Sequence, residues 1–89
     1  MRSRFSWKAA LGVALAREGN FARALTDLNE AIRLDPNVAA AYAARGIALG
    51  ERGELDRALA DLRQAIRLEP GNAQAHNNLA FTLRLQGDI

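Results

Sequence analysis

The chain repeats itself after 34 residues, and this period constrains its fold more than any other feature of the sequence. The hexapeptide AIRLDP at residues 31–36 returns as AIRLEP at residues 65–70. When residues 5–38 are aligned with residues 39–72, 16 of the 34 positions are identical, and a third copy begins at Ala73. A fixed period of this length is typical of arrays in which each unit packs against its neighbours.

Each copy has the pattern of two helices. In residues 25–34 the apolar side chains recur at spacings of three and four, which places them on one face of a helix. Gly19 and Gly53 are placed to end the first helix of their copies, and Pro36 and Pro70 to end the second. Candidate N-caps of the next helices are Asn37 and Asn72. Five helices are predicted, over residues 6–18, 21–34, 39–52, 55–68 and 73–86. Because the connections are short, neighbouring helices are expected to be antiparallel.

The composition argues against an enzyme or a metalloprotein. There is no cysteine, which excludes disulfides and thiolate metal sites. The single histidine, His76, has no second histidine or cysteine beside it, and we interpret it as filling the position that Tyr42 fills one copy earlier. The pairs Arg23–Asp27 and Arg57–Asp61 are four residues apart and are interpreted as solvated ion pairs. No catalytic residue, metal ligand or cofactor is therefore predicted.

The charge is uneven but small. Residues 1–17 carry +4 and the remaining residues −2, giving the net charge of +2. The start of the chain has the outline of a secretory signal, but its apolar part, residues 9–16, is short and is repeated inside the chain at residues 43–50. No apolar run approaches the roughly 20 residues of a membrane-spanning helix. The compartment stays undetermined, and the cytoplasm is favoured.

Small and large residues recur at matching positions of the copies. They are Leu11, Gly12, Leu15, Gly19, Ala24, Leu28, Ala31 and Pro36; Tyr42, Gly46, Leu49, Gly53, Ala58, Leu62, Ala65 and Pro70; and Leu79, Leu83 and Gly87. In this pattern the chain resembles the tetratricopeptide repeat family, with two full repeats at residues 5–38 and 39–72 and the first helix of a third at residues 73–89. The resemblance implies a single all-α domain over residues 1–89, an α-solenoid of antiparallel helix pairs wound into a right-handed superhelix.

The resemblance also implies a protein-interaction scaffold that binds a peptide or a helix in a concave groove, formed mainly by the first helix of each pair. The groove residues expected on this basis are Ala9, Val13, Arg17, Ala43, Ile47, Glu51, Gln74, Asn77, Asn78, Phe81 and Arg84. Family grooves that hold acidic chaperone tails use lysine and asparagine. The matching positions here are Ala9, Val13, Ala44 and Asn78, of which only Asn78 fits, so this ligand is not expected.

Two alternatives stay open. In the first alternative, the chain is a truncated or engineered array with no ligand of its own. It would then form a homo-oligomer, for example a helix-swapped dimer. The self-association surface would then consist of Leu79, Leu83, Leu85 and Ile89. Nucleic-acid binding through the arginines ranks lower, because acidic residues recur in phase with them and aromatic residues are few.

Overall fold

Five α-helices follow one another along the chain, as the periodicity predicts. In the computed structural model, which describes residues 7–87, they are α1 (Trp7–Arg17), α2 (Phe21–Leu34), α3 (Ala39–Glu51), α4 (Leu55–Leu68) and α5 (Ala73–Leu85). The prediction of five helices is confirmed, and the observed ends differ from the predicted ones by at most one residue.

The glycines end the first helix of each copy in the predicted way. Gly19, Gly53 and Gly87 have φ angles of 85°, 83° and 87°, a left-handed conformation that an L side chain rarely adopts. After Gly19 the backbone N–H of Asn20 donates to the carbonyl of Leu15 at 2.9 Å, which satisfies one of the last carbonyls of α1. The chain therefore reverses within the three residues between α1 and α2.

Only one of the two predicted N-caps is found. The Asn72 side chain accepts a hydrogen bond from the backbone N–H of Ala75 at 2.9 Å, which confirms this cap. The prediction for Asn37 is wrong, because the N-cap of α3 is Val38. In the preceding turn the backbone N–H of Asn37 donates to the Asp35 carboxylate at 3.2 Å, so Asn37 belongs to that turn, although α3 starts at Ala39 as predicted.

The helices form two layers, with α1, α3 and α5 in one and α2 and α4 in the other. Glycine lets the layers approach closely. A methyl group built on Gly12 would lie 2.6 Å from Cγ of Leu28, and one built on Gly46 would lie 2.8 Å from Cγ of Leu62. Leu28 and Leu62 are fully buried, and they occupy the same position in the two copies. Each copy thus has the same packing of a leucine over a glycine.

A partly buried ion pair joins α3 to α4, and its arginine also bonds to α2. Arg45 donates from Nε and Nη2 to the two carboxylate oxygens of Asp61, at 2.7 and 2.9 Å, and from Nη1 to Oδ1 of Asn29 at 3.0 Å. We call these three residues the arginine clamp. The hydrogen bonds to Asp61 raise the pKa of Arg45 against the opposing effect of desolvation, so the guanidinium stays charged.

The predicted pair Arg23–Asp27 is found, but the predicted pair Arg57–Asp61 is not. The interpretation of these pairs as solvated is wrong, because both aspartates are buried. Asp61 pairs with Arg45, and Arg57 pairs instead with Glu54 at 2.8 Å. In the first copy Leu11 occupies the position of Arg45. As a result Oδ2 of Asp27 has no hydrogen-bond partner, and Nε of Arg23 lies 3.9 Å from it.

His76 takes the position of Tyr42, in agreement with the sequence interpretation. The Tyr42 hydroxyl donates to the carbonyl of Pro36 at 2.9 Å, and Nε2 of His76 lies 2.8 Å from the carbonyl of Pro70. A carbonyl accepts only, so the imidazole carries a proton on Nε2. Both residues tie the start of a helix to the turn before it.

Candidate functional site

The layer of α1, α3 and α5 carries an apolar line along one side. Val13, Ile47 and Phe81 are 34 residues apart and occupy the same position on the three helices. Phe81 is 53% exposed, an unusual state for a large apolar side chain. We call the clefts along this line the inner groove.

Three clefts make up the inner groove. The first, of about 490 Å³, lies along α1 and the start of α3 and is lined by Ala9, Ala10, Val13, Ala14, Arg17, Glu18, Val38 and Ala40. The second, of about 270 Å³, is lined by Val13, Ala16, Arg17, Ala40, Ala44, Ile47 and Gln74. The third, of about 50 Å³, lies between α3 and α5 and is lined by Gly46, Ile47, Gly50, Glu51, Asn78, Phe81, Thr82 and Leu85. Val13 and Ile47 are each shared by two clefts, so the three form one continuous surface.

The alanines decide the shape of the inner groove. A side chain of one carbon leaves the helix backbone accessible, and the two larger clefts lie along α1 and α3, where alanine predominates. The inner groove contains few charged side chains. Among the residues lining these three clefts Arg17 is the only cation, and Glu18 and Glu51 are the anions.

The structure places eight of the eleven predicted groove residues in these clefts. They are Ala9, Val13, Arg17, Ile47, Glu51, Gln74, Asn78 and Phe81. Asn77 and Arg84 are exposed but line none of the three. The placement of Ala43 in the groove is wrong, because this residue is buried in a cluster with Tyr42, Ala65 and Ala75. A small residue such as Ala43 fits this cluster because α3, α4 and α5 meet at this point.

Sequence reasoning missed several residues of the groove. Val38 and Glu18 lie just outside the helices, in the turns, where helical periodicity gives no information. Leu85 lies in the third cleft and is 52% exposed, although the sequence assigned it to a self-association surface. A possible signal was its spacing of four residues from Phe81, which places both on one face of α5.

Comparison with known proteins agrees with this architecture. The profile of the TPR repeat family matches residues 12–52 and 49–87, which together span most of the chain. The chain belongs to the tetratricopeptide repeat family. TPR domains are protein-binding modules without enzymatic activity, and no curated protein matches this sequence.

Solved TPR domains share the fold of this one. The first TPR domain of human RPAP3 is 30% identical, with a TM-score of 0.82, over 90% of this chain and 63% of that one. The second TPR domain of human RPAP3, in complex with the HSP70 peptide SGPTIEEVD, is 33% identical, with a TM-score of 0.77, over 84% and 62%. The first TPR of Spaghetti (RPAP3), bound to the HSP90 peptide SRMEEVD, is 32% identical, with a TM-score of 0.79, over 85% and 60%. The chain thus spans about three fifths of the length of these structures.

Of the four residues predicted to form a self-association surface, the structure describes three, and these do not line one common cleft. Leu85 lines the inner groove, whereas Leu79 lies in a cleft between α4 and α5. Leu83 is partly buried, and Ile89 lies outside the described residues.

Of the nine arginines within residues 7–87, which would have to contact nucleic acid, five are paired with acids. Arg23, Arg33, Arg45, Arg52 and Arg57 each form an ion pair. Across residues 7–87, no group of histidine and acidic side chains is arranged to hold a metal ion. In the same part of the TPR domain, no helix is both long enough and apolar enough to cross a bilayer.

Proposed function

We propose that this TPR domain is a protein-interaction scaffold whose inner groove binds an apolar peptide segment, either extended or helical. The observation that carries the proposal is the line of Val13, Ile47 and Phe81, in which Phe81 is exposed and the other two are partly buried, on a surface that alanines keep open. Covering such a line is favourable by roughly 25 cal/mol per Å² of apolar surface removed from water. A peptide with large apolar side chains three or four residues apart matches this surface.

The groove chemistry argues against an acidic ligand. The HSP70 and HSP90 peptides bound by the RPAP3 domains both end in EEVD, which carries several carboxylates. A carboxylate needs cationic or amide donors, and the corresponding positions here are Ala9, Val13, Ala44 and Asn78. With Arg17 as the only cation, the inner groove offers little to offset the desolvation of several carboxylates.

The proposal is tested by selecting peptides from a random library on the purified domain and measuring their affinity by calorimetry. Phe81→Gln is expected to weaken the selected peptides at least about tenfold, the equivalent of 1.4 kcal/mol. Leu34→Gln is the matched control, because Leu34 is similarly exposed, at 58%, but lies at the end of α2 away from the groove. If the selected peptides bind both variants equally, or if SRMEEVD binds as tightly as they do, the proposal is wrong.

Self-association is a second candidate, favoured by the exposure of Phe81 and Leu85 on one side of α5. A homodimer in which two copies cover these residues would remove them from water without any other ligand. Sedimentation equilibrium between about 1 µM and 1 mM is expected to show dimers that Leu85→Gln dissociates. A monomer throughout this range refutes the dimer and leaves the peptide groove untouched.

A further inference from the structure

Helix α3 ends on an acidic residue, Glu51, and has no basic residue in its last turn. The last turns of the other four helices each carry a cation, namely Arg17, Arg33, Arg67 and Arg84. The free carbonyl groups at a helix C-terminus carry a partial negative charge, which attracts cations and repels anions. Arg17 occupies the position of Glu51 one copy earlier, so the repeat accepts the favourable charge there. The stability of α3 therefore does not account for Glu51.

The Glu51 carboxylate has no partner in the part of the chain that the structure describes. It is exposed, and it forms neither an ion pair nor a side-chain hydrogen bond with any residue between 7 and 87. The adjacent Arg52 pairs instead with Glu54, at 3.5 Å. A carboxylate at a helix end of the same sign attracts a cation from outside the chain through both charges.

Apolar side chains lie beside this carboxylate. Glu51 lines the third cleft of the inner groove together with Ile47, Phe81 and Leu85, and the last two are exposed. A lysine or arginine side chain has the matching construction, because its stem of methylene groups is apolar and its head is charged. The face of an aromatic ring such as that of Phe81 also attracts a cation within about 6 Å. The cleft thus combines an apolar wall with one unpaired negative charge.

The other acidic residue of the inner groove is less suited to a cation. Glu18 lines the first cleft next to Arg17, whose positive charge opposes that of an entering lysine or arginine. Arg17 also lines the second cleft, where no acidic side chain offsets it. Among the three clefts, the third is therefore the one in which a basic side chain is most favourable.

We propose that the third cleft is a subsite for a lysine or arginine of the peptide that the inner groove binds. The charged head pairs with the Glu51 carboxylate at the end of α3. Because the cleft measures only about 50 Å³, the stem lies across Phe81 and Leu85 and is not enclosed. This inference rests on the proposed function of the groove and specifies its ligand as an apolar segment that carries a basic residue.

The probes are the peptides selected from the random library on the wild-type domain. Each is compared with a copy in which norleucine replaces lysine or citrulline replaces arginine, so that the stem stays and the charge is lost. In calorimetry the neutral copy is expected to bind the wild-type domain about two- to fivefold more weakly. On Glu51→Gln the two copies are expected to bind equally, because the charge of the peptide then has no partner.

The stability of the free domain separates a ligand contact from a structural role. Glu51→Gln is expected to raise the melting temperature by about 1–5 °C, because it removes the repulsion at the end of α3, while it weakens the peptides. Glu69→Gln is the matched control, since Glu69 is the C-cap of α4 and lines none of the three clefts. Its glutamine oxygen still accepts the hydrogen bond from Asn72. This control is expected to leave the peptide affinities unchanged.

The inference is overturned if the selected peptides lack a basic residue, if their neutral copies bind the wild-type domain equally well, or if the charge dependence persists in Glu51→Gln. Weaker self-association of Glu51→Gln without any effect on the peptides would assign the carboxylate to a contact between two copies and also overturn it. All of these results leave peptide binding at Phe81 intact. Selected peptides that bind Phe81→Gln as tightly as the wild type refute the groove itself, so the two failures are distinguishable.

Discussion

Replacing Arg45 with methionine measures what the arginine clamp contributes to the stability of the domain. Methionine keeps an unbranched side chain of similar length but removes all three hydrogen bonds to Asp61 and Asn29. The Asp61 carboxylate, whose side chain is 9% exposed, then has no cation within reach. The expected loss is dominated by this stranded charge, since Asn29 lies near the surface and water replaces its partner.

The magnitude follows from the burial of the two partners. Breaking a fully buried ion pair by removing one partner costs about 3–5 kcal/mol, whereas an exposed pair contributes at most about 1 kcal/mol. The Arg45 side chain is 21% exposed, so solvent already screens part of the interaction. We therefore expect Arg45→Met to lower the free energy of unfolding by about 2–3 kcal/mol and the melting temperature by about 10–20 °C.

Urea unfolding followed by circular dichroism gives the free energies. Arg23→Met is the matched control, because Arg23 stands 3.9 Å from the other buried carboxylate but its own side chain is 64% exposed. This control is expected to lose less than about 0.5 kcal/mol. Adding Asp61→Asn to Arg45→Met removes the stranded charge and is expected to recover at least about 1 kcal/mol. Equal losses for the two arginine variants, or no recovery in the double variant, would refute the reasoning.

Three further predictions concern single contacts. Gly46→Ala is expected to destabilise by about 1–2 kcal/mol in urea unfolding, because the new methyl group lies 2.8 Å from Cγ of Leu62 and this outweighs the better helix propensity of alanine. Tyr42→Phe is expected to lose about 1 kcal/mol in the same assay, since it removes one hydrogen bond from the turn before α3. The hydrogen bond from Arg33 lowers the pKa of Glu30, so Arg33→Gln is expected to raise that pKa in a ¹³C NMR titration of the carboxyl group. Because the folded pKa of Glu30 is the lower one, its stabilising contribution is present at neutral pH and disappears as the pH falls through that value.

The helices were predictable because their signals are local. Apolar spacing, the glycine after the first helix and the proline after the second each act within a few residues, and they gave α2 and α4 with their observed ends. The position of Asn37 was not predictable in the same way, because the Asp35 side chain competes for the turn. Whether Asn37 caps the helix or joins the turn depends on backbone dihedral angles that the sequence does not reveal.

The roles of the buried carboxylates were not predictable because their partners are distant in sequence. Asp61 and Arg57 are four residues apart, the spacing of a helical ion pair, yet Asp61 bonds to Arg45, which is 16 residues away. Only the packing of α3 on α4 brings these two together. Ala43 shows the same limit: periodicity places it near Ile47, but the approach of α4 and α5 decides that it is buried.

Comparison of the copies with one another supplies part of the missing information. Positions that stay the same, such as Leu28 and Leu62, are packed identically and maintain the fold. Positions that change chemistry mark surfaces with different neighbours. Arg45 has a carboxylate from α4 to bind, whereas Leu79, at the same position of α5, lies in an open cleft. The cleft beside Leu79 also contains Ile66, so a leucine is suited to an apolar contact there. The change from arginine to leucine therefore reflects the different side chains that surround the two positions.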